Sequence, residues 1–276
     1  MHTPYGSGSY SSRFSIVGTS GVTMAARELK SKLTRIAAHL MEASPEDLEV
    51  RDGQVSVRGS ETSQVSLQRI ARTAYHRIHD LPEHEDPGLE LSYHYRDPNV
   101  DFPADDRGRV TMFSSFPYAA DVAVVEVDTE TGKVQILKYV SVHDCGNMLN
   151  PRIVEGQHVG ALAHGIGGVM LEEFAFDGDG RPLNGSFKEY LVPTALDIPE
   201  LTLGHVISPN PFTPGGYKGA GETGTVSPVP CLANAVRDAV MPLGIELTKL
   251  PLTPSNLWNQ IHAGNGTAGH ESGGPA

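Results

Sequence analysis

The chain has 276 residues, of which 39% are hydrophobic and 20% charged, a composition typical of a globular protein rather than of a disordered or fibrous one. Its 33 acidic and 21 basic residues give a formal net charge of -12, which argues against a general binder of nucleic acids or anionic membranes. Two cysteines, Cys145 and Cys231, are too few for a disulfide framework or for a cysteine-ligated iron–sulfur cluster within the chain.

The first half of the chain predicts a helix, a hairpin, a second helix and a long loop. Apolar residues recur at helical spacing over residues 20–43, with Ser20 or Thr23 as the N-cap. Alternating apolar residues flank Asp52 and Gly53, a common signal for a tight hairpin, and a second amphipathic helix follows over residues 66–78. Residues 80–109, rich in Pro, Asp and His, predict a surface connection. We interpret the histidines in and near this connection as solvated rather than metal-binding, because their spacing is irregular: His76, His79, His84 and His94.

The second half predicts strands followed by a glycine-containing helix. A hairpin rich in Val and Ile has its turn at residues 129–133. Phe116 and Tyr118, just before it, are interpreted as buried strand aromatics in preference to the edge of a substrate channel. Residues 177–180 begin like a calcium-binding loop but lack its terminal glutamate, so we predict a turn. The predicted helix between these segments contains five glycines, which fit either close helix packing or the approach of a bulky ligand: Gly156, Gly160, Gly165, Gly167 and Gly168.

A glycine-rich loop that leads into the predicted helix LANAVRDAV is the most informative segment. It fails as a phosphate-binding loop, because Glu222 stands where the P-loop lysine is needed and a carboxylate would repel a triphosphate. Three glycines in it satisfy GxGxxG, but no buried strand precedes them. The loop places Glu222 among small residues near a helix N-terminus, with Lys218 close by in the sequence. Glu222 is therefore a candidate general base, or a carboxylate favoured only by the helix dipole.

Four separated motifs resemble, in the same order, the molybdenum-binding subunit of the xanthine oxidase and aerobic carbon monoxide dehydrogenase family: TPYGSGSYSSR, VVEVDTETGKVQILKYVSVHDCGNMLNP, VEGQHVGALAHGIG and GYKGAGETGT. They cover almost the whole chain but only the C-terminal half of such a subunit, so a naturally split subunit and a truncated fragment both stay open. The resemblance implies an α+β molybdopterin-binding domain with mixed sheets and packed helices over residues 1–263. It would contain a helix-hairpin-helix portion with its loop (20–105) and a portion carrying the candidate site (106–263), followed by a flexible tail (264–276).

The resemblance also assigns roles to single residues. Glu222 would be the catalytic base that takes the proton of the hydroxyl attacking an electron-poor carbon, and partial removal from water would make it a better base. Gln157 would hydrogen-bond the pterin. The remaining contacts to the cofactor would come from two segments, Ser11, Ser12, Arg13 and Phe14 at its dithiolene and phosphate end and Lys218, Gly219, Ala220 and Gly221 along its side.

No residue of the chain is expected to ligate the metal. Three positions depart from the family pattern. Phe14 replaces a small hydroxyl residue, which leaves a backbone contact there, Ala161 replaces a glycine, and His164 replaces a glutamine that neighbours the pterin.

The implied cofactor is molybdenum with molybdopterin cytosine dinucleotide, shared with the upstream half of the subunit, and no iron–sulfur cluster or FAD is expected in this chain. Implied partners are the upstream half, an iron–sulfur subunit, an FAD subunit and a small-molecule substrate, but no nucleic acid. Aldehydes, purines, other N-heterocycles and carbon monoxide all fit the motifs as substrates.

The sequence leaves two alternatives to an oxidoreductase component open: a non-catalytic fragment or scaffold of the same family, and an unrelated glycine-rich binding module. The N-terminal residues carry no signal-peptide pattern, and no stretch is apolar for long enough to span a bilayer. The expected location is therefore the cytoplasm.

Overall fold

The computed structural model describes residues 8–60, 62–101 and 103–265. The chain forms two compact units, one made of residues 16–110 with 212–215 and the other made of residues 1–15, 111–211 and 216–276. Each unit contains helices and one three-stranded sheet, which confirms the predicted α+β class. None of the described helices is both long and apolar enough to cross a membrane.

The unit of residues 16–110 contains an antiparallel sheet in the order β1-β2-β3 and two helices. Its elements are α1 (Phe14–Met41), which enters the unit at residue 16, β1 (Leu48–Arg51), β2 (Gln54–Val57), β3 (Gln64–Ser66) and α2 (Leu67–His76). The predicted hairpin is confirmed, and its turn residues Asp52 and Gly53 have φ angles of 48° and 78°. Both lie in the left-handed region that a two-residue hairpin turn requires. Both helices and all three strands contribute to the core: Ile36, Ala37, Leu48, Val55, Val65, Ile70 and Ala74.

The predicted start of α1 is wrong, although the helix itself is confirmed. The helix begins at Phe14, and Ser20 is a fully buried residue inside it rather than an N-cap. The glycines and β-branched residues of this first part are poor helix formers, but Ile16 is only 6% exposed. Burial of this face outweighs the low local propensity. In α2, by contrast, the Ser66 hydroxyl accepts a hydrogen bond from the Arg69 backbone N–H at 3.2 Å, as an N-cap does.

The predicted surface connection is confirmed, because residues 81–117 form neither a helix nor a strand in the part that the structure describes. It is tied to α1 by a salt bridge in which Arg35 Nε lies 2.7 Å from a Glu85 carboxylate oxygen. The four histidines in and near the connection are exposed, as a solvated role requires.

The other unit contains a mixed sheet in the order β4-β5-β6, with β4 antiparallel and β6 parallel to β5. Its elements are β4 (Tyr118–Val127), β5 (Val134–Asp144), α3 (Pro151–Met170), β6 (Leu201–His205), α4 (Thr223–Val226), α5 (Pro228–Val240) and α6 (Pro254–Asn265). The long connection that a parallel strand pair needs contains α3. The predicted hairpin is confirmed, with its turn between β4 and β5. The core of this unit includes Tyr139, Leu162, Ile166, Leu232, Val236 and Leu257.

The glycines of α3 fall into two groups. A Cβ atom at Gly165 would lie 2.6 Å from the Thr225 carbonyl oxygen, and one at Gly167 would lie 2.6 Å from a Pro193 ring carbon, so both glycines serve close packing. A Cβ atom at Gly156, Gly160 or Gly168 would meet no atom of the described residues within 4 Å. Only these last three therefore leave backbone open to a ligand.

Three smaller expectations are also decided by the structure. Phe116 and Tyr118 are 60% and 64% exposed, so their interpretation as buried strand aromatics is wrong. The predicted turn at 177–180 is confirmed, because Asp177 Oδ1 accepts the backbone N–H groups of Asp179 and Arg181. Of the predicted tail, residues 264–265 end α6 and residues 266–276 lie outside the described residues.

Candidate active site

Glu222 directly precedes α4 and is held by the N-terminal segment. Its Oε1 atom accepts a hydrogen bond from the Ser11 backbone N–H at 3.2 Å. The carboxylate is exposed in this chain, so the expected partial removal from water is not found here. Its side chain lines a cavity.

The backbone around Ser11 is unusual. Ser11 and Ser12 have φ angles of 51° and 52°, a left-handed conformation that non-glycine residues seldom adopt. Two such residues in succession store strain, which is common at binding sites and active sites. This conformation presents the Ser11 N–H to Glu222.

The glycines of the loop allow it to lie directly against Ser12. A Cβ atom at Gly219 would be 2.9 Å from the Ser12 Cβ, and one at Gly221 would be 3.0 Å from the Ser12 hydroxyl oxygen. A side chain at Gly219 would therefore push the two segments apart, and one at Gly221 would require the Ser12 hydroxyl to move. The structure thus brings together Ser11, Ser12, Gly219, Gly221 and Glu222, which are separated by more than 200 residues in the sequence.

Gln157 anchors the same loop from α3. Its Nε2 atom donates to the Gly221 carbonyl oxygen at 3.2 Å, and its side chain is exposed. The open backbone of Gly156 and Gly160 lies on the same helix, one and three residues away. A planar ligand could therefore approach the Gln157 carboxamide without meeting a side chain at these two positions.

Lys218 lies outside the set of residues that line the cavity beside Glu222. Its ammonium group is buried and lies 2.7 Å from Asp144 Oδ2 and 3.1 Å from the Ser208 hydroxyl. Burial by itself would raise the pKa of the Asp144 carboxyl. Hydrogen bonds from Lys218 and from the backbone N–H groups of Gly146 and Ser208 outweigh this effect and hold that pKa below its usual range. Lys218 therefore fixes the loop to β5.

Three further residues that the sequence singled out are Arg13, Phe14 and Ala161. The Arg13 guanidinium lies 4.0 Å from the centre of the Tyr10 ring and donates to the Gly8 carbonyl at 3.3 Å. Phe14 begins α1 with its side chain 68% exposed. Neither residue lines the cavity beside Glu222. Ala161 is buried, and its methyl group would lie 3.0 Å from a Cβ atom at Gly224, so it packs against the loop.

Sequence reasoning missed a buried polar network beneath the loop. The Tyr139 and Ser141 hydroxyls donate to the two carboxylate oxygens of Asp121 at 2.5 and 2.6 Å, and Ser141 also contacts His158 Nε2 at 2.9 Å. A Cβ atom at Gly224 would lie 2.8 Å from the His158 carbonyl oxygen, so the loop rests on this residue. The signal that could have found it is the run of polar residues at alternate positions of the otherwise apolar strand β5.

A cavity of about 440 Å³ lies next to Glu222. Half of its lining residues are polar and include Ser11, Ser12, Ser115 and Thr223. The other half are apolar and include Phe113 and Phe116, neither of which the sequence motifs contain. Its volume falls in the range of small-molecule sites.

Comparison with known proteins decides the family. Residues 1–199 match the family described as the molybdopterin cofactor-binding domain. The chain belongs to this family. The resemblance found in the sequence motifs is therefore confirmed, whereas the loop of Glu222 lies beyond the matched residues, so its role rests on geometry.

Relatives of this family member are large subunits of oxidoreductases. The carbon monoxide dehydrogenase large chain of Hydrogenophaga pseudoflava is 31% identical over 262 residues, which cover 95% of this chain and 30% of that protein. The nicotine 6-hydroxylase large subunit of Paenarthrobacter nicotinovorans is 37% identical over 253 residues, which cover 92% and 29%. The structure of reconstituted carbon monoxide dehydrogenase from Oligotropha carboxidovorans aligns with a TM-score of 0.81 and 31% identity, over 96% of this chain and 31% of that chain. This chain thus spans about 30% of the length of its relatives.

The residues of this family member fit a pterin cofactor. The Ser115 and Thr223 hydroxyl oxygens are buried and have no hydrogen-bond partner within the described residues, although both residues line the cavity. Such groups normally find a partner in a bound molecule or in water. Gln157 adds a carboxamide beside open glycine backbone, which suits the edge of a heterocycle. No group of three or more His, Cys, Asp or Glu in the described ranges could hold a metal ion.

Proposed function

We propose that the chain is part of the large subunit of a molybdenum hydroxylase, which oxidises an electron-poor carbon with water as the source of oxygen. The observation that carries this proposal is the placement of Glu222, which the Ser11 N–H holds at the edge of a 440 Å³ cavity. Gln157 holds the same loop from its other side. A carboxylate fixed beside a small-molecule cavity is suited to accept a proton from a reacting group.

The proton acceptor is the carboxylate of Glu222. Its Oε1 atom already accepts the Ser11 N–H, which orients the group and leaves Oε2 to take the proton. Because Glu222 is exposed in this chain, we propose that the remaining part of the large subunit covers it and removes water from it. Relatives that are about three times longer support this step.

The cofactor would be held by three segments of the chain. Gln157 would bind the pterin edge, and the backbone of Gly219, Ala220 and Gly221 would face its side. Ser11, Ser12, Arg13 and the backbone of Phe14 would contact its dithiolene and phosphate end, and its dinucleotide form is proposed to be the cytosine one. When bound, the molybdenum cofactor supplies the two-electron oxidation.

The proposed partners are the upstream part of the large subunit, an iron–sulfur subunit and an FAD subunit. One relative, 31% identical, is the gamma subunit of the 6-hydroxypseudooxynicotine dehydrogenase complex of Paenarthrobacter nicotinovorans, which supports a multi-subunit assembly. The cytoplasm is the proposed location. A second candidate, a non-catalytic fragment or scaffold of the same family, is favoured by one observation, the exposure of Glu222 to water.

The substitution Glu222→Gln tests the proposal in the complex that forms when the chain is co-expressed with its genomic neighbours. Glutamine keeps the shape of the side chain and accepts the Ser11 N–H, but it cannot take a proton at working pH. We expect turnover to fall about 100-fold or more while molybdenum and cytidine nucleotide contents stay as in the wild type.

The matched control is Glu155→Gln, an exposed glutamate on the helix that carries Gln157. This variant should keep its turnover. Wild-type turnover in Glu222→Gln would remove the role of base, and joint loss of metal and turnover would instead make Glu222 a structural residue. A wild-type complex that holds no molybdenum would favour the scaffold.

A further inference from the structure

His158 of α3 packs against the start of α4, the short helix that directly follows Glu222. A Cβ atom at Gly224 would lie 2.8 Å from the His158 carbonyl oxygen and 3.0 Å from its ring nitrogen Nδ1. The contact is thus too close for a side chain at this position. Because interiors are closely packed, a movement of the His158 ring would displace the backbone that carries Glu222.

The helix α4 is too short to define its own position. It has four residues, and no side chain in the described part of the chain caps its start. A single helical turn is unstable by itself, because its hydrogen bonding does not offset the entropy lost on ordering it. The Thr225 N–H closes the turn by donating to the Glu222 carbonyl oxygen at 3.2 Å. The position of this turn therefore depends on the elements packed against it, of which α3 contributes most.

Hydrogen bonds fix both the orientation and the tautomer of the His158 ring. Its Nε2 atom lies 2.9 Å from the Ser141 hydroxyl oxygen, which in turn lies 2.6 Å from Asp121 Oδ1. A carboxylate only accepts hydrogen bonds, so the single hydroxyl hydrogen of Ser141 is directed at Asp121. His158 must then donate to Ser141 through Nε2–H. Its Nδ1 atom, next to Gly224, carries no hydrogen.

The polar network around His158 is buried and joins three elements. Tyr139 and Ser141 on β5 and His158 on α3 are each at most 1% exposed, and Asp121 comes from β4. The Tyr139 hydroxyl donates to the second carboxylate oxygen of Asp121 at 2.5 Å. A buried network whose members have partners makes its surroundings rigid. The network therefore connects the ring to both long strands of the sheet.

The ionisable groups around His158 keep its ring neutral. Asp121 lies on β4, His143 on β5 with its ring centre 4.0 Å away, and His205 on β6. Burial is the largest influence and lowers the pKa of His158, the charge of Asp121 opposes this change, and His205 adds to it. A neutral ring at neutral pH is what the tautomer requires.

We propose that His158 is a positioning residue for Glu222, which it places through its contact with Gly224, and that Asp121 and Ser141 hold its ring for this contact. His158 is not among the residues that line the cavity beside Glu222, so it acts through the backbone of α4. The inference rests on the proposed function, in which Glu222 accepts the proton. It adds that a buried imidazole defines where this carboxylate lies.

Hydrogen exchange of the 276-residue chain, followed by NMR, tests the positioning without turnover. His158→Leu keeps an apolar side chain but cannot donate to Ser141. The Ser11 and Thr225 N–H groups, which donate to the side chain and the backbone of Glu222, report on its position. We expect their exchange to become about tenfold faster relative to the helical N–H groups of α5. An unchanged ratio of these rates overturns the proposal.

Two further variants separate positioning from a general loss of stability. Val169→Ala truncates another buried residue of α3, at the end of the helix remote from His158, and should leave the exchange ratio as in the wild type. An equal rise in this control overturns the proposal. His158→Gln supplies an amide that can donate to Ser141 and should restore most of the wild-type ratio. A ratio as high as in His158→Leu would show that the hydrogen bond does not position the loop.

Ser141→Ala keeps the inference testable if His158→Leu does not fold. This variant removes the group that accepts from Nε2–H and leaves the imidazole in place. It should raise the exchange of Ser11 and Thr225 relative to α5 in the same way. A wild-type ratio in Ser141→Ala overturns the proposal.

Turnover in the complex co-expressed with the genomic neighbours gives a second measurement. In His158→Leu we expect kcat to fall about tenfold at unchanged KM and molybdenum content, because the proton acceptor alone is misplaced. Val169→Ala should keep the wild-type kcat. A joint loss of molybdenum and kcat in His158→Leu would make His158 a structural residue only and overturns the proposal.

The two proposals fail separately. Loss of turnover in Glu222→Gln together with wild-type exchange in His158→Leu would leave the base and remove its positioning residue. Full turnover in Glu222→Gln would remove the base, whereas faster exchange of Ser11 and Thr225 in His158→Leu would still show that His158 places the Glu222 loop.

Discussion

The Lys218 ammonium group lies 2.7 Å from the Asp144 carboxylate, and both side chains are buried. The pair joins the glycine-rich loop to the end of β5 across 74 residues of sequence. The Lys218 backbone repeats this connection, since its N–H donates to the Cys145 carbonyl oxygen at 2.9 Å. The position of Glu222, four residues further along, is thus defined by a charge pair that does not touch the cavity.

Removal of the lysine should cost much of the stability of the chain. The variant Lys218→Met keeps the apolar stem but leaves the Asp144 carboxylate buried without its cation. We expect the free energy of unfolding to fall by about 3 to 5 kcal/mol, the usual cost of breaking a buried pair. Urea denaturation at neutral pH measures it.

The exposed Lys188 offers the control, since Lys188→Met should be nearly neutral. The double variant Lys218→Met with Asp144→Asn should recover part of the loss, because no uncompensated charge then remains. A loss below about 1 kcal/mol in the single variant would show that the pair does not hold the loop.

Local elements of the fold could be predicted from the sequence, because their signals are themselves local. Asp52 and Gly53 specify a hairpin turn whatever surrounds them, and Ser66 caps the helix that follows it. The start of α1 could not be predicted in this way. It depends on the burial of Ile16 and Ser20, which only the folded unit provides.

The candidate site, too, could be predicted from the sequence only where its signals are local. The glycine pattern identified the loop of Glu222, because only small residues allow its close contact with Ser12. The resemblance places Lys218 along the cofactor, whereas its buried partner Asp144 is distant in sequence and could not be predicted from a local pattern. Phe116 was assigned to the core because a large aromatic side chain near a strand is usually buried, and its exposure at the cavity could not be read from a local pattern.

Gln157 should matter more for the cofactor than for folding. Gln157→Leu removes an exposed hydrogen bond to the Gly221 carbonyl and should lower stability by at most about 1 kcal/mol. In the assembled complex we expect a clear loss of molybdenum and cytidine nucleotide, measured by elemental analysis and by nucleotide release. Glu155→Leu on the same helix is the control. Full cofactor content in Gln157→Leu would contradict the proposed pterin contact.

Two glycines of α3 give a matched pair of substitutions. In Gly165→Ala the new methyl group would lie 2.6 Å from the Thr225 carbonyl oxygen and 2.7 Å from a Pro228 ring carbon, neither of which can move away easily. We expect a loss of about 1 to 3 kcal/mol. In Gly160→Ala the methyl group meets no neighbour in the part of the chain that the structure describes, and the helix should gain up to about 1 kcal/mol.

Thermal unfolding of the two variants checks whether Gly165→Ala is less stable, and Gly160→Ala more stable, than the wild type. A stabilised Gly165→Ala would show that close packing is not the reason for that glycine. For Gly160→Ala the complex offers a second measurement. If the open surface beside Gln157 receives the cofactor, a larger side chain in Gly160→Leu should lower the metal content without lowering the stability of the chain.

The rings of His143, His158 and His205 lie close together. The His143 ring centre lies 4.0 Å from that of His158 and 4.5 Å from that of His205. His143 is 2% exposed, and neither of its ring nitrogens has a hydrogen-bond partner among the described residues. Burial, followed by repulsion from the other two rings, lowers the pKa of His143 to about 4, although Asp144 and Asp121 oppose this change. Burial also lowers the pKa of His158.

These shifts make stability fall with acidification in a defined window. Above the usual histidine pKa of 6.5, the folded and unfolded chains both hold His143 neutral, and this residue adds no pH dependence. Between that value and a pH of about 4, the unfolded chain takes up a proton that the folded chain refuses, so stability declines by roughly 3 kcal/mol for His143. Urea denaturation at a series of pH values measures the decline. His143→Asn should make the decline less steep, and equal slopes in the wild type and His143→Asn would show that His143 is protonated as easily when folded as when unfolded.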